Sequence, residues 1–91
     1  MEMDEKLKHR FELLGKHIKY LREERNLTIK ELALKTGIRR EYLQKIENGS
    51  AYRVLLEKHL LKIADSLKIK LSELFNYKNY QKKTIEYVIM N

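Results

Sequence analysis

Leu32-Ala33, followed by Thr36-Gly37-Ile38-Arg39-Arg40-Glu41-Tyr42-Leu43-Gln44-Lys45-Ile46-Glu47-Asn48, is the stretch that decides the fold of this chain. Leu32 and Ala33 close one short helix, and the small Ala33 lets a second helix cross it closely at a wide angle. Gly37 allows the sharp turn between them, because it can take a left-handed backbone that other residues resist. Ile38 plugs that turn from below, and Leu43 and Ile46 face the same core from the second helix. Arg39, Arg40, Glu41, Gln44 and Lys45 remain on its outer face. The apolar side of this helix is locked, and its polar side is suited to meet an anion.

Before this pair, Leu7, Phe11, Leu14, Ile18 and Leu21 recur at alternating steps of four and three. That spacing predicts a helix from about Asp4 to Arg25, with Gly15 as a weak point costing roughly 1 kcal/mol relative to Ala. Asn26-Leu27 ends it. Thr28 reads as an N-cap with Glu31 as the return half of a capping box, so helix 2 runs about 29–36. Helix 3 runs about 40–48 and stops at Asn48-Gly49. Ser50 to Arg53 reads as a loop. A fourth helix carries Leu56, Leu60, Ile63, Ala64 and Leu67 on one face, and Ser72 is expected to cap a last turn holding Leu74 and Phe75. Residues 1–76 form the expected domain, with 77–91 as a C-terminal extension. There Ile85, Tyr87 and Ile89 alternate as in a strand, while Tyr80, Thr84, Tyr87 and Val88 would align on a helix. The fold class is all-α.

Ninety-one residues make one small domain. A chain of this size buries roughly 60–65% of the surface it exposes when unfolded, so its core is modest and an oligomer is expected. It has no Cys, hence no disulfide framework and no thiolate metal site, which fits a cytoplasmic setting. Met1-Glu2-Met3-Asp4-Glu5 carries no apolar core of a signal peptide. No apolar run approaches membrane-spanning length. Net charge is +7, and the excess peaks in residues 29–53, where 6 basic groups face 3 acidic ones. A basic surface attracts polyanions without specifying which.

From about Leu14 to Phe75 the chain resembles the helix-turn-helix family of phage Cro and repressor proteins, the xenobiotic-response-element type. The resemblance is carried by Leu14-Gly15, Ile18, Leu21-Arg22, Leu27-Thr28, Glu31-Leu32-Ala33, Thr36-Gly37-Ile38, Tyr42-Leu43, Ile46-Glu47 and Gly49. It continues through Leu61-Lys62-Ile63-Ala64, Leu67 and Leu71-Ser72-Glu73-Leu74-Phe75. It implies a five-helix lambda-repressor-like domain, with an extended N-terminal helix, whose third helix enters the DNA major groove. It places Arg40, Glu41 and Lys45 at base edges, with Gln44 on the same DNA-binding face, and Thr28, Arg39 and Asn48 near phosphates. It also implies a partly buried ion pair between Arg22 and Glu47. Three features depart from the family. Ile29 stands where a Gln usually braces the DNA backbone, and Arg39 stands where Ser or Thr usually caps helix 3. The loop after Gly49 is about two residues longer than usual and lacks the usual Pro.

Arginine matches guanine O6 and N7 with two donors, lysine offers a point donor, and glutamate accepts from cytosine N4. A solvated charged face would carry the same residue types; the turn pattern around them is what favours DNA contact. His9, His17 and His59 share no ligand spacing, so no metal is expected. No nucleophile motif surrounds Ser50, Ser66 or Ser72, and no carboxylates pair for acid–base work, so neither catalysis nor a cofactor is expected. These features together point to a sequence-specific transcriptional regulator, repressor-like, on a palindromic operator as a homodimer. A phage-type repressor, a restriction–modification controller and an antitoxin all fit, with a partner protein as one route of control. The rival is a protein-interaction module, since Thr36 to Leu43 also resembles the cytoplasmic helix-turn-helix of rod-shape proteins that bind cytoskeletal filaments. Non-specific nucleoid binding is a further alternative.

Overall fold

Five helices follow the apolar spacing closely. In the computed structural model, which describes residues 5–51 and 57–76, they are α1 (Glu5–Glu24), α2 (Ile29–Thr36), α3 (Arg40–Glu47), α4 (Glu57–Ser66) and α5 (Leu71–Leu74). The expected position of Leu56 and the strand-or-helix reading of Thr84 to Met90 lie outside the described residues. No strand occurs among those described.

Local bonds at the helix ends explain how so short a chain can change direction between its helices. At the start of α2, the Thr28 hydroxyl accepts from the Glu31 N–H at 3.0 Å, and the Glu31 carboxylate accepts from the Thr28 N–H at 2.9 Å. The capping box is complete, and the bond from the Thr28 backbone holds the Glu31 carboxyl below its ordinary range. Three helices end in a Schellman arrangement. In each, one residue turns left-handed and two N–H groups fold back onto orphan carbonyls. After α1 that residue is Asn26 (φ 57°), with Asn26 N–H on Glu23 O and Leu27 N–H on Arg22 O. After α3 it is Gly49 (φ 76°), and after α4 it is Lys68 (φ 59°). The α2–α3 turn uses Gly37 at φ 75°, whose N–H reaches Ala33 O at 2.8 Å. Thr36 braces the same turn: its buried hydroxyl donates to Leu32 O at 2.8 Å and accepts from the Ile38 N–H at 3.1 Å.

The core is one cluster built from all five helices, centred on Ile18, Leu32, Leu43, Ile63, Leu67 and Leu74. Within α1, burial concentrates on Leu13, Leu14, Gly15, Ile18 and Arg22. Of the expected apolar stripe, Leu14 and Ile18 are buried, Phe11 and Leu21 half-buried, and Leu7 exposed. Leu7 lies too near the N-terminal end of α1 to reach the cluster beneath the helix-turn-helix.

Two readings are corrected. Gly15 is no mere weak point. A Cβ there would strike the carbonyl oxygen of Ile46 and lie 2.5 Å from Glu47 O and 2.8 Å from Glu47 C. The missing side chain is what lets α1 cross against the end of α3. Ser72 does not cap the last helix. The N-cap is Lys70, without a side-chain bond, and Ser72 sits one residue inside α5. Starting at Leu71 puts half-buried Leu71 and buried Leu74 one turn apart against the core.

Candidate nucleic-acid interface

Arg39 begins the site in an extended conformation (φ −60°, ψ 140°), occupying the N-cap of α3 without a side-chain hydrogen bond to the helix. Losing a Ser or Thr cap costs about 1 kcal/mol, and exposed Arg39 stands at the helix N-terminus, where an anion is favoured. Arg40, Glu41, Gln44, Lys45 and Asn48 follow, all exposed, as is Thr28 at the start of α2. Successive helical residues step by about 100°. Glu41, Gln44 and Asn48 therefore share the middle of the exposed face. Arg40 lies on the flank beside buried Leu43 and Glu47, and Lys45 on the opposite flank beside Tyr42 and Ile46. The two cations stand about 140° apart around the helix by the same step. Among the described residues, Arg39, Arg40 and Lys45 have no ion-pair partner.

The inner face of α3 is held on three sides. Toward α1, Arg22 grips Glu47 with two hydrogen bonds, Nε to Oε2 at 2.8 Å and Nη2 to Oε1 at 3.0 Å. Its remaining nitrogen Nη1 donates to Leu27 O at 2.7 Å. The side chains are 10% and 5% exposed, and the bond to Glu47 raises the Arg22 guanidinium above its ordinary value. Toward α2, Leu43 packs with Leu32 and Ile38 in the common cluster. Toward α4, the Tyr42 ring meets His59 with centroids 5.1 Å apart and planes tilted by 57°. Burial raises the Tyr42 phenol; burial together with Lys58 and Lys62 lowers His59.

Some supports were not legible in the sequence. Arg25 donates from Nε to Leu67 O at 2.8 Å and from Nη1 to Leu21 O at 2.9 Å, pinning the end of α1 to the end of α4. His17 Nε2 lies 3.0 Å from Glu73 O and joins α1 to α5. Both act through backbone carbonyls, which every sequence contains, so no residue pattern announces them. Among the described residues, no three His, Asp or Glu side chains cluster where a metal could sit, and no helix is long and apolar enough to cross a membrane.

The sequence pattern of the Helix-turn-helix family matches residues 18–74, from the middle of α1 to the end of α5. This chain belongs to the Cro/C1-type helix-turn-helix family. As a member it is a DNA-binding regulator. Among solved structures it is similar to the restriction-modification controller protein C.AhdI from Aeromonas hydrophila. The two share 30% identity and superpose with a TM-score of 0.66, over 70% of this chain and 94% of that one. No curated protein matches.

Proposed function

We propose that this regulator binds a palindromic operator as a homodimer in the cytoplasm. Arg40, Glu41 and Lys45 read base edges, Gln44 lies between them on the DNA-binding face, and Thr28, Arg39 and Asn48 hold phosphates. The observation that carries the reading is the division of α3. One side is anchored by Leu43, Ile46 and the Arg22–Glu47 pair, and the other exposes three cations without ion-pair partners among the described residues. A helix held that rigidly can present side chains to a groove without first ordering them. Such a protein acts by occupying DNA and excluding or recruiting polymerase, which needs no chemistry of its own and no cofactor. Its 30% identity to C.AhdI across nearly all of that protein favours a restriction–modification controller over a phage-type repressor or an antitoxin.

Selection of binding sites from a random DNA pool tests this directly. A palindromic motif is expected, and binding without preferred sequence would overturn the reading. Arg40→Ala should cost about 1–3 kcal/mol on the selected site and little on random DNA. Arg39→Ala should weaken binding to every sequence alike and reduce the salt slope by about one unit. For assembly, Leu7 and Phe11 on α1, the Ile85, Tyr87 and Ile89 positions of the extension, or both sets together, are the expected contacts. Leu61 on α4 and Phe75 after α5, each nearly half exposed, are competing apolar contacts. A chain trimmed to residues 12–76, which removes both sets of contacts, should be monomeric by light scattering. If the truncated chain still dimerises and Leu61→Glu abolishes that dimer, the contact lies on α4 instead.

A further inference from the structure

Among the described residues, Leu34 is the most exposed of the large apolar side chains that reach solvent, at 77%. On α2 it stands four residues after Lys30, so the two share one side of the helix. It is not isolated. Lys30, Ala33 and Leu34 from α2, Ile38 from the turn, and Arg39 and Arg40 from α3 line a groove of about 420 Å³. Ala33, Leu34 and Ile38 give this open groove an apolar lining, and Lys30, Arg39 and Arg40 add three cations. Glu31, the nearest acid on α2, has its carboxylate turned to the Thr28 N–H at 2.9 Å. None of the DNA roles proposed above uses Leu34 or fills this groove. A thymine methyl offers a single apolar carbon, too little to cover a surface lined jointly by Ala33, Leu34 and Ile38. A phosphate gains nothing from an apolar lining. A protein segment that inserts a bulky apolar side chain, with carboxylates beside it to meet the cations, satisfies both features at once.

We propose that the groove between α2 and the N-terminal end of α3 docks an acidic protein segment anchored by a large apolar residue, and that this partner and DNA exclude each other. Arg39 and Arg40 belong to both surfaces, so a carboxylate held on them is a carboxylate placed where a phosphate or base would sit. The exclusion rests on the DNA roles proposed for those arginines; the docking itself does not. Regulation then needs no effector pocket inside the small core, because the partner acts on the DNA-facing cations.

The probe is a fluorescent amphipathic peptide of Leu, Phe and Glu, measured against the full-length chain. A Glu–Ala peptide of equal charge is the control. The amphipathic peptide should bind about tenfold more tightly than the control, and Leu34→Ala should lower its affinity about tenfold, as loss of an anchor contact does. Amide shifts should centre on Lys30, Ala33 and Gly37. The peptide should release labelled DNA from the unaltered chain. Leu34→Ala should leave DNA affinity within about twofold but make the peptide a poor competitor. Equal binding of the two peptides would reduce the groove to a charged surface and overturn the docking. Loss of DNA affinity in Leu34→Ala would overturn it too, by assigning the groove to the DNA interface. A ternary complex of chain, peptide and DNA would overturn the exclusion. A chain that binds the peptide through Leu34 but binds no DNA would sink the regulator reading and leave the docking supported.

Discussion

Gly15→Ala is the perturbation on which local propensity and tertiary contact disagree in sign. In the middle of the 20-residue α1, replacing Gly by Ala should stabilise the helix by roughly 0.8–1 kcal/mol. The added methyl, however, would point at the C-terminal end of α3. It would meet the Ile46 carbonyl and lie 2.5 Å from Glu47 O and 2.8 Å from Glu47 C. These are backbone atoms, so no side-chain rotation relieves the clash. Restoring ordinary contact requires α1 to back away from α3 by roughly 1 Å. That retreat loosens Leu14 and Ile18 against Ile46 and stretches the 2.8 Å bond from Arg22 to Glu47. Overpacking of this kind costs about 1–3 kcal/mol, and more where backbone must move. Because backbone must move here, the cost lies at about 3 kcal/mol, the top of that range, and subtracting the propensity gain leaves a net loss of about 2 kcal/mol. At roughly 4–8 °C per kcal/mol for a domain of this size, Tm should fall by about 8–16 °C. Thermal melts followed by circular dichroism, with urea titration as a second measure, read this directly. The retreat should also weaken DNA binding, because α3 is braced against that crossing. A Gly15→Ala chain with unchanged or raised Tm would refute the close crossing, and with it the account of how α3 is held.

The Arg22–Glu47 pair should show strong coupling: Arg22→Ala leaves a 5%-exposed carboxylate side chain unpaired and should cost about 3 kcal/mol, while Arg22→Met with Glu47→Leu should cost about 1 kcal/mol. Additive losses below about 0.5 kcal/mol in a double-mutant cycle would show that the pair contributes little. Lys68→Gly should raise stability by about 0.5 kcal/mol, since Lys68 holds a left-handed backbone (φ 59°) that costs a non-glycine residue about 1 kcal/mol, less the entropy Gly adds to the unfolded chain; a melt that shifts downward contradicts this. Because the Glu31 pKa is lowered in the fold, the capping box contributes stability that is present above the ordinary glutamate pKa and lost as pH falls through the folded value. Carboxyl NMR titration should place the Glu31 midpoint below that of unfolded chain, and Glu31→Gln should remove that part of the acid dependence of the melt.

Much of the architecture is local and could be read in advance. Thr28 with Glu31, Gly37 after Thr36, and Asn48-Gly49 mark helix boundaries through interactions that span three to five residues, so the order of types along the chain determines them. The alternating steps of Leu14, Ile18 and Leu21 work in the same way, since a helix brings residues three and four apart onto one face. The exposed face of α3 follows from the same rule, once Leu43 and Ile46 are turned inward. Ser72 falls inside α5 instead of capping it, because a four-residue helix gives propensity little to act on. Its start was chosen by the burial of Leu71 and Leu74, which depends on where α4 lies.

What only the tertiary structure decided is where distant segments touch. The chain alone determined that α1 contains a glycine. The crossing of α1 against α3 turned that glycine from a local defect into a requirement, because a carbonyl 31 residues downstream occupies the space of its Cβ. Arg25 on Leu67 O and His17 against Glu73 O are of the same kind. Their acceptors are backbone carbonyls that carry no residue identity, so only the packing of helices selects them. The groove beside Leu34 has the same origin. Its apolar and basic lining residues come from two helices and the turn between them, and neither helix contains the groove by itself. Periodicity and capping are short-range and act before the chain is packed. Close approach, shared hydrogen bonds and concave surfaces exist only between elements, after packing has brought them together.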